Sequence, residues 1–484
     1  MTEDTCRDEA GRPVIVWFRD DLRLSDNPAL QAAVKSGRAI ICIFVLDEQS
    51  EGLRPLGGAA RWWLHGSLQK LDEALGSRGG RLAIHLGTAT TLVPRLAEAH
   101  KAAAVFWNRR YGAAERRIDE TIKTALKARQ IKAKSFNGHL LYEPWSIKTK
   151  AGGAFRVFSA FWRATNEFGE PDLPLPAPSR FHFFEETDKS GLVPITLADL
   201  ALQPSSPDWA GGLRSTWKPG EAGAQAQLEH FLEEHLAAYA DLRDFPDRPA
   251  TSRLSPYLRF GNISPRQAWH ATNAVAKTGQ HKIGNRNLEK FQSELGWREF
   301  SYHLLYNNPD MAMKNLQAKF DGMPWRSETN SLAAWQDGRT GYPIVDAGMR
   351  ELWHTGWMHN RVRMVVASFL IKHLLIDWRQ GEAWFWDTLV DADPANNAAS
   401  WQWVAGSGAD AAPYFRVFNP VLQGEKFDLH GRYVKRWLPE LADVPLSVIH
   451  RPWQLPSKVE AYAGRIVEHD LARQRALDAF KGLG

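Results

Sequence analysis

The chain has 484 residues, 44% of them hydrophobic and 24% charged, with 60 Lys and Arg against 55 Asp and Glu for a formal net charge of +5. That length allows two or three domains with sizeable cores, and so mild a charge permits a polyanionic partner without demanding one. Two cysteines, Cys6 and Cys42, exclude a disulfide framework and a cysteine-rich zinc site, the N-terminus MTEDTCRDEAGRP has no signal-peptide core, and the longest apolar run, MVVASFLI at 364–371, is far too short for a bilayer, so a cytoplasmic protein without a membrane partner is expected.

Over residues 1–145 short β-rich runs alternate with helical stretches, the pattern of a parallel sheet with crossover helices. The strands are expected at VIVWF (14–18), IICIFVL (40–46), LAIHLG (82–87), AVFWN (104–108) and IKAKSF (131–136). Between the second and third, AARWWLHGSLQKLDEAL repeats Trp63, Leu64, Leu68, Leu71 and Leu75 at helical spacing. Neither G-x-G-x-x-G nor G-x-x-x-x-G-K-[ST] follows a strand, which removes the phosphate cradles of dinucleotide and NTP binding. Residues 146–224 read as a connector, Pro-, Gly- and Ser-rich from about 171 and expected on the surface. Residues 225–484 show helical periodicity and almost no alternation, so the fold class is an α/β domain with a parallel Rossmann-like sheet joined to an all-α domain. Of the 21 Trp, two-thirds lie beyond residue 210.

Several segments of the helical half carry chemistry. TSRLSPYLRFGNISP (251–265) sets Thr251, Ser252 and Ser255 at a helix start with Pro256 in its first turn. Such a start gathers hydroxyls and unpaired N–H groups for a phosphate, or serves only as a cap for its own helix. In NLEKFQSELGWREFSYHLL (287–305), Glu294, Trp297 and Arg298 share one helical face. Glu294 and Arg298 there form an exposed ion pair, or Glu294 sits half-buried beside the indole with a raised pKa and hydrogen-bonds a base carbonyl. GWMHNRVRM repeats the geometry with Trp357, Asn360, Arg361 and Met364, which suits an uncharged heterocycle beside a phosphate; His359 falls off that stripe and reads as structural. DADPANNAASWQWVAGSG (391–408) mixes acids, adjacent amides and indoles among small residues, either a surface for a planar molecule or a packed loop.

Taken in order, PVIVWFRDDLRLSDNPAL, TSRLSPYL, WREF, GYPIVDAGMREL, GWMHNRVRM, DADPANN, WQWVAGSGADAAPYFRVFNP and QGEKFD resemble the photolyase/cryptochrome family over nearly the whole chain. The resemblance implies an antenna domain over 1–145, a connector over 146–224 and a helical FAD- and DNA-binding domain over 225–484. It implies that Tyr239, Thr251, Ser252, Leu254 and Ser255 take the phosphates and ribityl chain of a U-shaped FAD, with Arg298, Trp357 and Asn360 lining its cavity. Arg363 and Asp391 would pair beside the flavin ring, Asp393 would face its polar edge, and Asn397 would sit near N5. Trp401, Trp378 and Trp325 match the family's electron chain, and Trp403 the pocket wall facing Trp297.

Family members repair cyclobutane pyrimidine dimers, repair (6-4) lesions or signal as cryptochromes. Repairers of (6-4) lesions carry two His where this chain has Asn360 and Met364, and plant cryptochromes tend to have Asp where it has Asn397. WWLHGSL, GYPIVDAGMREL and DWRQGEAWFWDTLVDADP look most like the bacterial class III subgroup close to plant cryptochromes. The resemblance therefore implies a photolyase, acting alone as a monomer, that splits cyclobutane dimers in DNA from the FADH⁻ form. Trp297 and Trp403 would flank the flipped-out dimer, Asn360 and Met364 would line its cavity, and Glu294 would hydrogen-bond a thymine carbonyl, with Arg243, Arg361 and Arg416 as phosphate contacts. It implies methenyltetrahydrofolate, or alternatively a deazaflavin, as antenna, with Glu115 near a folate-contacting position. The alternatives are a blue-light receptor acting through a protein partner, a single-strand photolyase of the DASH type, and a colourless DNA-binding protein.

Overall fold

The computed structural model describes residues 11–185, 192–278, 284–410, 415–457 and 459–483; Cys6 lies outside them. Strands β1 (Val14–Phe18), β2 (Ile40–Leu46), β3 (Leu82–Leu86), β4 (Ala104–Asn108) and β5 (Lys132–Phe136) form one sheet in the order β3-β2-β1-β4-β5. All neighbours are parallel, and Val14 stands opposite both Ile40 and Ala104. β1, β2 and β4 are buried throughout, because a parallel sheet is covered on both faces, and this is why they read as unbroken apolar runs.

Helices α1 (Pro28–Lys35), α2 (Gly58–Gly76), α3 (Ala89–Ala99) and α4 (Ala113–Ala128) make the crossovers. The start of α1 follows from Asn27-Pro28: Asn27 Oδ1 accepts from Leu30 N at 3.1 Å, and proline needs no donor in the first turn. α2 buries the five residues at helical spacing, Trp63, Leu64, Leu68, Leu71 and Leu75. One face of the sheet packs Ile15, Trp17 and Ile43 against Val93, Leu96, Ile118 and Ile122 of α3 and α4. The other face, with Val14, Val16 and Phe18, continues through α2 into Phe231, Leu254, Tyr257 and Phe260 of the helical body, so both halves share one core.

Among the described residues every element after β5 is helical, and no helix is long and apolar enough to cross a membrane. The stretch 171–224 departs from the surface connector expected of it. Leu200, Leu202, Ala210, Leu213 and Trp217 are buried in the shared core, and Phe183 and Ile195 bridge to Ile40 and Ile84. Its turn-forming residues break regular elements, but the apolar residues between them still find the seam where sheet and helices meet.

Polar pins fix that seam. The buried Asn262 accepts from Trp63 Nε1 at 3.0 Å and Ser67 Oγ at 3.2 Å and donates to Leu22 O at 3.2 Å. Arg23, 1% exposed, donates to the carbonyls of Gly261, Asp26 and Gly138 at 2.9, 2.7 and 2.6 Å. Leucine at position 262 would keep the branching of asparagine with bulkier tips and strand Trp63 Nε1, Ser67 Oγ and Leu22 O. Asn262→Leu is therefore expected to destabilise the protein by roughly 3 kcal/mol, read as a lower urea midpoint at unchanged helical content; a wild-type midpoint would show that the pin carries no stability.

Candidate functional site

A cavity of about 600 Å³ opens in the helical body, within the range of small-molecule sites. Most of its lining comes from five helices, α5 (Ser255–Arg259), α6 (Asn285–Asn307), α7 (Asn360–Ser368), α8 (Trp378–Thr388) and α9 (Asn396–Ala405). All twelve residues expected at a cofactor line it: Tyr239, Thr251, Ser252, Leu254, Ser255, Arg298, Trp357, Asn360, Arg363, Asp391, Asp393 and Asn397. So do Arg243, Glu294, Trp297, Met364, Trp401 and Trp403.

Thr251, Ser252 and Ser255 line the cavity, and Ser255 Oγ accepts from Trp357 Nε1 at 3.3 Å. α5 begins after Leu254 and no side chain caps it, so the reading of these hydroxyls as a cap for their own helix does not hold. Between them Arg253 adopts a left-handed backbone, φ +51°, with its guanidinium over Trp217 at 4.4 Å and Trp357 at 5.0 Å. It also lines the cavity, a basic group that the sequence reading missed.

On α6 the shared face of Glu294, Trp297 and Arg298 is present, but the ion pair between Glu294 and Arg298 is not. Glu294 instead accepts from Arg243 and, at 3.0 Å, from Lys290. The lone half-buried carboxyl beside an indole is thus corrected to a carboxylate held between two cations. Arg298 turns inward, donating to His139 O at 2.9 Å and meeting His139 Nε2 at 2.8 Å and Glu299 at 3.3 Å. Burial raises Glu299 to about 7, against the pull of Arg298 and the amides of Leu141 and Tyr142. Trp297 stacks on Phe158 at 3.7 Å and 10°, so its ring is held flat at the cavity wall.

The segment 391–408 also supplies lining residues. Asp391 takes a two-pronged pair from Arg363, 2.9 to 3.2 Å, and Arg363 Nε donates to Met358 O. Asp393 Oδ1 accepts from Ala395 N, Asn396 N and Asn396 Nδ2 at 2.8 to 2.9 Å, fixing the start of α9. Asn397 Nδ2 donates to Glu382 Oε1 at 2.8 Å, and Arg54, reaching over from the loop before α2, pairs with Glu382 at 2.8 Å while lying over Trp386. Neither Glu382 nor Arg54 was found from the sequence.

Arg361, Arg416, Glu115, Trp378 and Trp325 lie away from the cavity lining. Arg361 pairs with Asp244 at 2.9 Å and covers Phe427, and Arg416 is exposed beside Phe415. Glu115 folds back over Gly112 in the first turn of α4, where a carboxylate complements the helix N-terminus. His359 caps α7 through Nδ1, accepting from Arg361 N at 3.2 Å, and burial lowers it to about 4. Trp401, 2% exposed, meets Phe385 at 5.0 Å and Trp335 at 6.2 Å, both edge-on. Trp378 is fully buried and donates to Asn315 Oδ1 at 3.0 Å, and the half-buried Trp325 packs on the margin of the same cluster.

These features match known proteins. Residues 14–179 fit the family profile of DNA photolyase, and residues 291–482 that of the FAD binding domain of DNA photolyase. A deoxyribodipyrimidine photo-lyase of Agrobacterium fabrum is 49% identical over 97% of each chain. The chain belongs to the photolyase/cryptochrome family. Cryptochrome-1 of Arabidopsis thaliana is 39% identical over 93% of this chain and 66% of its own. The crystal structure of a bacterial class III photolyase from Agrobacterium tumefaciens superposes with a TM-score of 0.93 at 47% identity, over 98% of each chain.

Within this family member the wall behind Trp401 is a glycine. A Cβ on Gly381 would overlap the Trp401 ring. Gly381→Ala should push that indole toward the cavity and cost about 1–3 kcal/mol of stability, with a changed near-ultraviolet circular dichroism; unaltered aromatic signals would show that the ring has room to give.

Proposed function

We propose that the protein is a light-dependent DNA-repair enzyme that splits cyclobutane pyrimidine dimers with FAD as its cofactor. The observation that carries this reading is the gathering in one cavity of hydroxyls, acids, amides and four indoles. On it, residues 1–145 form the antenna domain, 146–224 the connector and 225–484 the catalytic domain of a cytoplasmic monomer.

The donor set fits FAD. Thr251, Ser252 and Ser255 offer hydroxyls to phosphates, with Arg253 close by as counter-charge; Tyr239 and Leu254 flank them; Asp393 and Asn397 offer hydrogen bonds to a heterocycle beside the Arg363–Asp391 pair. When bound and reduced, FAD supplies one electron to the dimer on absorbing blue light and takes it back, so there is no net redox change. The chain's own residues do the rest. Trp297, kept flat by Phe158, and Trp403 flank a flipped-out dimer and exclude water. Asn360 and Met364 line that space without a titrating group, which favours cyclobutane dimers over lesions whose repair needs proton transfer from histidine. Glu294, acting in its protonated form once the substrate has displaced Lys290, donates a hydrogen bond to a pyrimidine carbonyl and so stabilises negative charge that develops on the dimer. Arg243, Arg361 and Arg416 meet phosphates around the mouth.

Trp401, Trp378 and Trp325 carry electrons inward to the cofactor. Supporting this, Trp401 lines the cavity, Trp378 shares its buried cluster and Trp325 packs at the half-exposed margin. For the antenna we propose methenyltetrahydrofolate, with a deazaflavin as the alternative.

The decisive experiment is an absorption spectrum followed by repair of duplex DNA containing cyclobutane dimers, lit and dark. A flavin spectrum with repair only in light is expected; a flavin protein that repairs nothing would instead be a blue-light receptor, and one active only on single strands a DASH-type enzyme. Glu294→Ala should slow repair at least about tenfold, ~1.4 kcal/mol, with flavin content retained. Trp401→Phe should abolish photoreduction of oxidised flavin while chemically reduced enzyme still repairs; normal photoreduction would remove Trp401 from the chain.

A further inference from the structure

Asn397, on α9 at the cavity wall, gives both of its amide protons to one residue of α8. Nδ2 donates to Glu382 O at 3.0 Å and to Glu382 Oε1 at 2.8 Å. Turned over, the amide would set its own oxygen against those two acceptors, so chemistry decides which atom is the nitrogen. Oδ1 is left for whatever occupies the cavity, and among the described residues nothing donates to it.

The carboxylate that fixes this choice is fixed in turn from the sheet domain. Arg54 Nη1 donates to the same Oε1 at 2.8 Å, and no other cation among the described residues pairs with Glu382, whose side chain is 6% exposed. An ion pair between wandering partners does little. This one is held. The Arg54 guanidinium rests over the Trp386 ring at 4.2 Å, Trp386 Nε1 donates to Pro55 O at 2.8 Å, and Gly58 N donates to Asp387 Oδ1 at 2.8 Å. A Cβ on Gly57 would overlap the Trp386 carbonyl, so backbone lies against backbone there. The stretch 54–58 is thus stapled to α8 and delivers its guanidinium to one place.

Without that guanidinium the arrangement loosens at one point. The carbonyl of Glu382 belongs to α8 and stays, but its carboxylate is released to other rotamers. The Asn397 amide then keeps one acceptor of two, and its oxygen is held toward the cavity less firmly.

We propose that Arg54 is a positioning residue through which the sheet domain holds the Asn397 oxygen toward the cavity, so that the site prefers a ring nitrogen bearing a hydrogen. The consequence for redox chemistry rests on the flavin reading. With N5 of the flavin near Asn397, an oxygen there accepts from the N–H that the reduced ring carries, whereas the oxidised ring offers only a lone pair at that atom. Arg54 therefore raises the midpoint potential of the bound flavin and favours the form that supplies the electron. The orientation of the amide depends on protein atoms only.

The test combines nuclear magnetic resonance of the holoenzyme labelled with ¹⁵N-asparagine with a redox titration of its flavin. In wild type one side-chain amide, identified by its loss in Asn397→Ala, should show two protons protected from solvent exchange. Arg54→Leu, which still covers Trp386, should lower that protection at least about tenfold, on the order of one hydrogen bond, and lower the midpoint potential. Arg54→Lys, which keeps a charged donor, should restore part of both. Unchanged protection in Arg54→Leu overturns the proposal, and so does a lower potential with the amide still protected, which is the field of the lost cation alone. Unprotected amide protons in wild type overturn it as well. A colourless preparation, or one that repairs nothing, would count against the proposed function, while exchange of the Asn397 protons would still report on Arg54.

Discussion

Three N–H groups converging on one oxygen of Asp393 set where the helix that carries Asn397 and Trp401 begins at the cavity wall. They close the turn of Asp393-Pro394-Ala395 onto the start of α9, so the direction of that helix is decided by a single carboxyl. Asn397 and Trp401, four apart, then lie one above the other on the same helical face, and both reach the cavity. Ala399 and Ser400, which also line the cavity, are small enough to leave room beside that face, and Gly381 on α8 leaves the space into which the Trp401 ring fits. An error of one residue in where α9 begins would rotate the amide and the indole away from the cavity together.

The sheet domain takes part in this site more directly than its distance from the cavity suggests. Arg54 reaches Glu382, and Glu382 holds the Asn397 amide. His139, just beyond β5, occupies Arg298 and Tyr302. Asp20 at the end of β1 pairs with Arg259; burial alone would raise this carboxyl, but Arg110 and Arg259 outweigh it and hold it well below the usual range. Each contact orients a cavity residue from behind, where second partners do most to limit how far a side chain can wander. The shared core explains how such long reaches stay in register: with Asn262 and Arg23 pinning the seam, the sheet cannot slide on the helices without stranding several buried polar groups.

Strands, crossover helices and cavity-lining faces were legible in the sequence because each is a local pattern. A buried parallel strand must be apolar along its length, and a helix that lines a cavity repeats its side chains at three- and four-residue intervals. The motifs from 251 to 408 were legible for a related reason: they combine residue types that a simple core does not need, such as adjacent amides in Asn396-Asn397. The partners behind the cavity were not. Arg54 and Glu382 are separated by 328 positions and His139 and Tyr302 by 163, and no spacing rule joins them. The same limit explains one of the two partners of Glu294, since Arg243 comes from a different segment, whereas Lys290, four residues before Glu294 on α6, stands at the same helical spacing as Arg298 and was not weighed. The stretch 171–224 misled in another way, since turn residues advertise irregular backbone and say nothing about whether the apolar side chains between them are buried.

Glu294 shows how such pairs bear on binding at the mouth of the cavity. Its two cations are not equivalent. Lys290 is 43% exposed along its side chain, and a pair in water exchanges partners at little cost. Arg243 is 10% exposed, rests over the Tyr239 ring at 5.2 Å and donates to its hydroxyl at 3.2 Å, so it is part of the wall. A polar group entering the cavity therefore displaces the lysine and leaves the arginine, and Glu294 keeps its orientation while one carboxyl oxygen becomes free to meet the entering group. The released ammonium stays at the rim, where a polyanion following its base into the protein would meet it. A net charge of only +5 is then sufficient for such a partner, because the cations that count are stored at the mouth as exchangeable ion pairs.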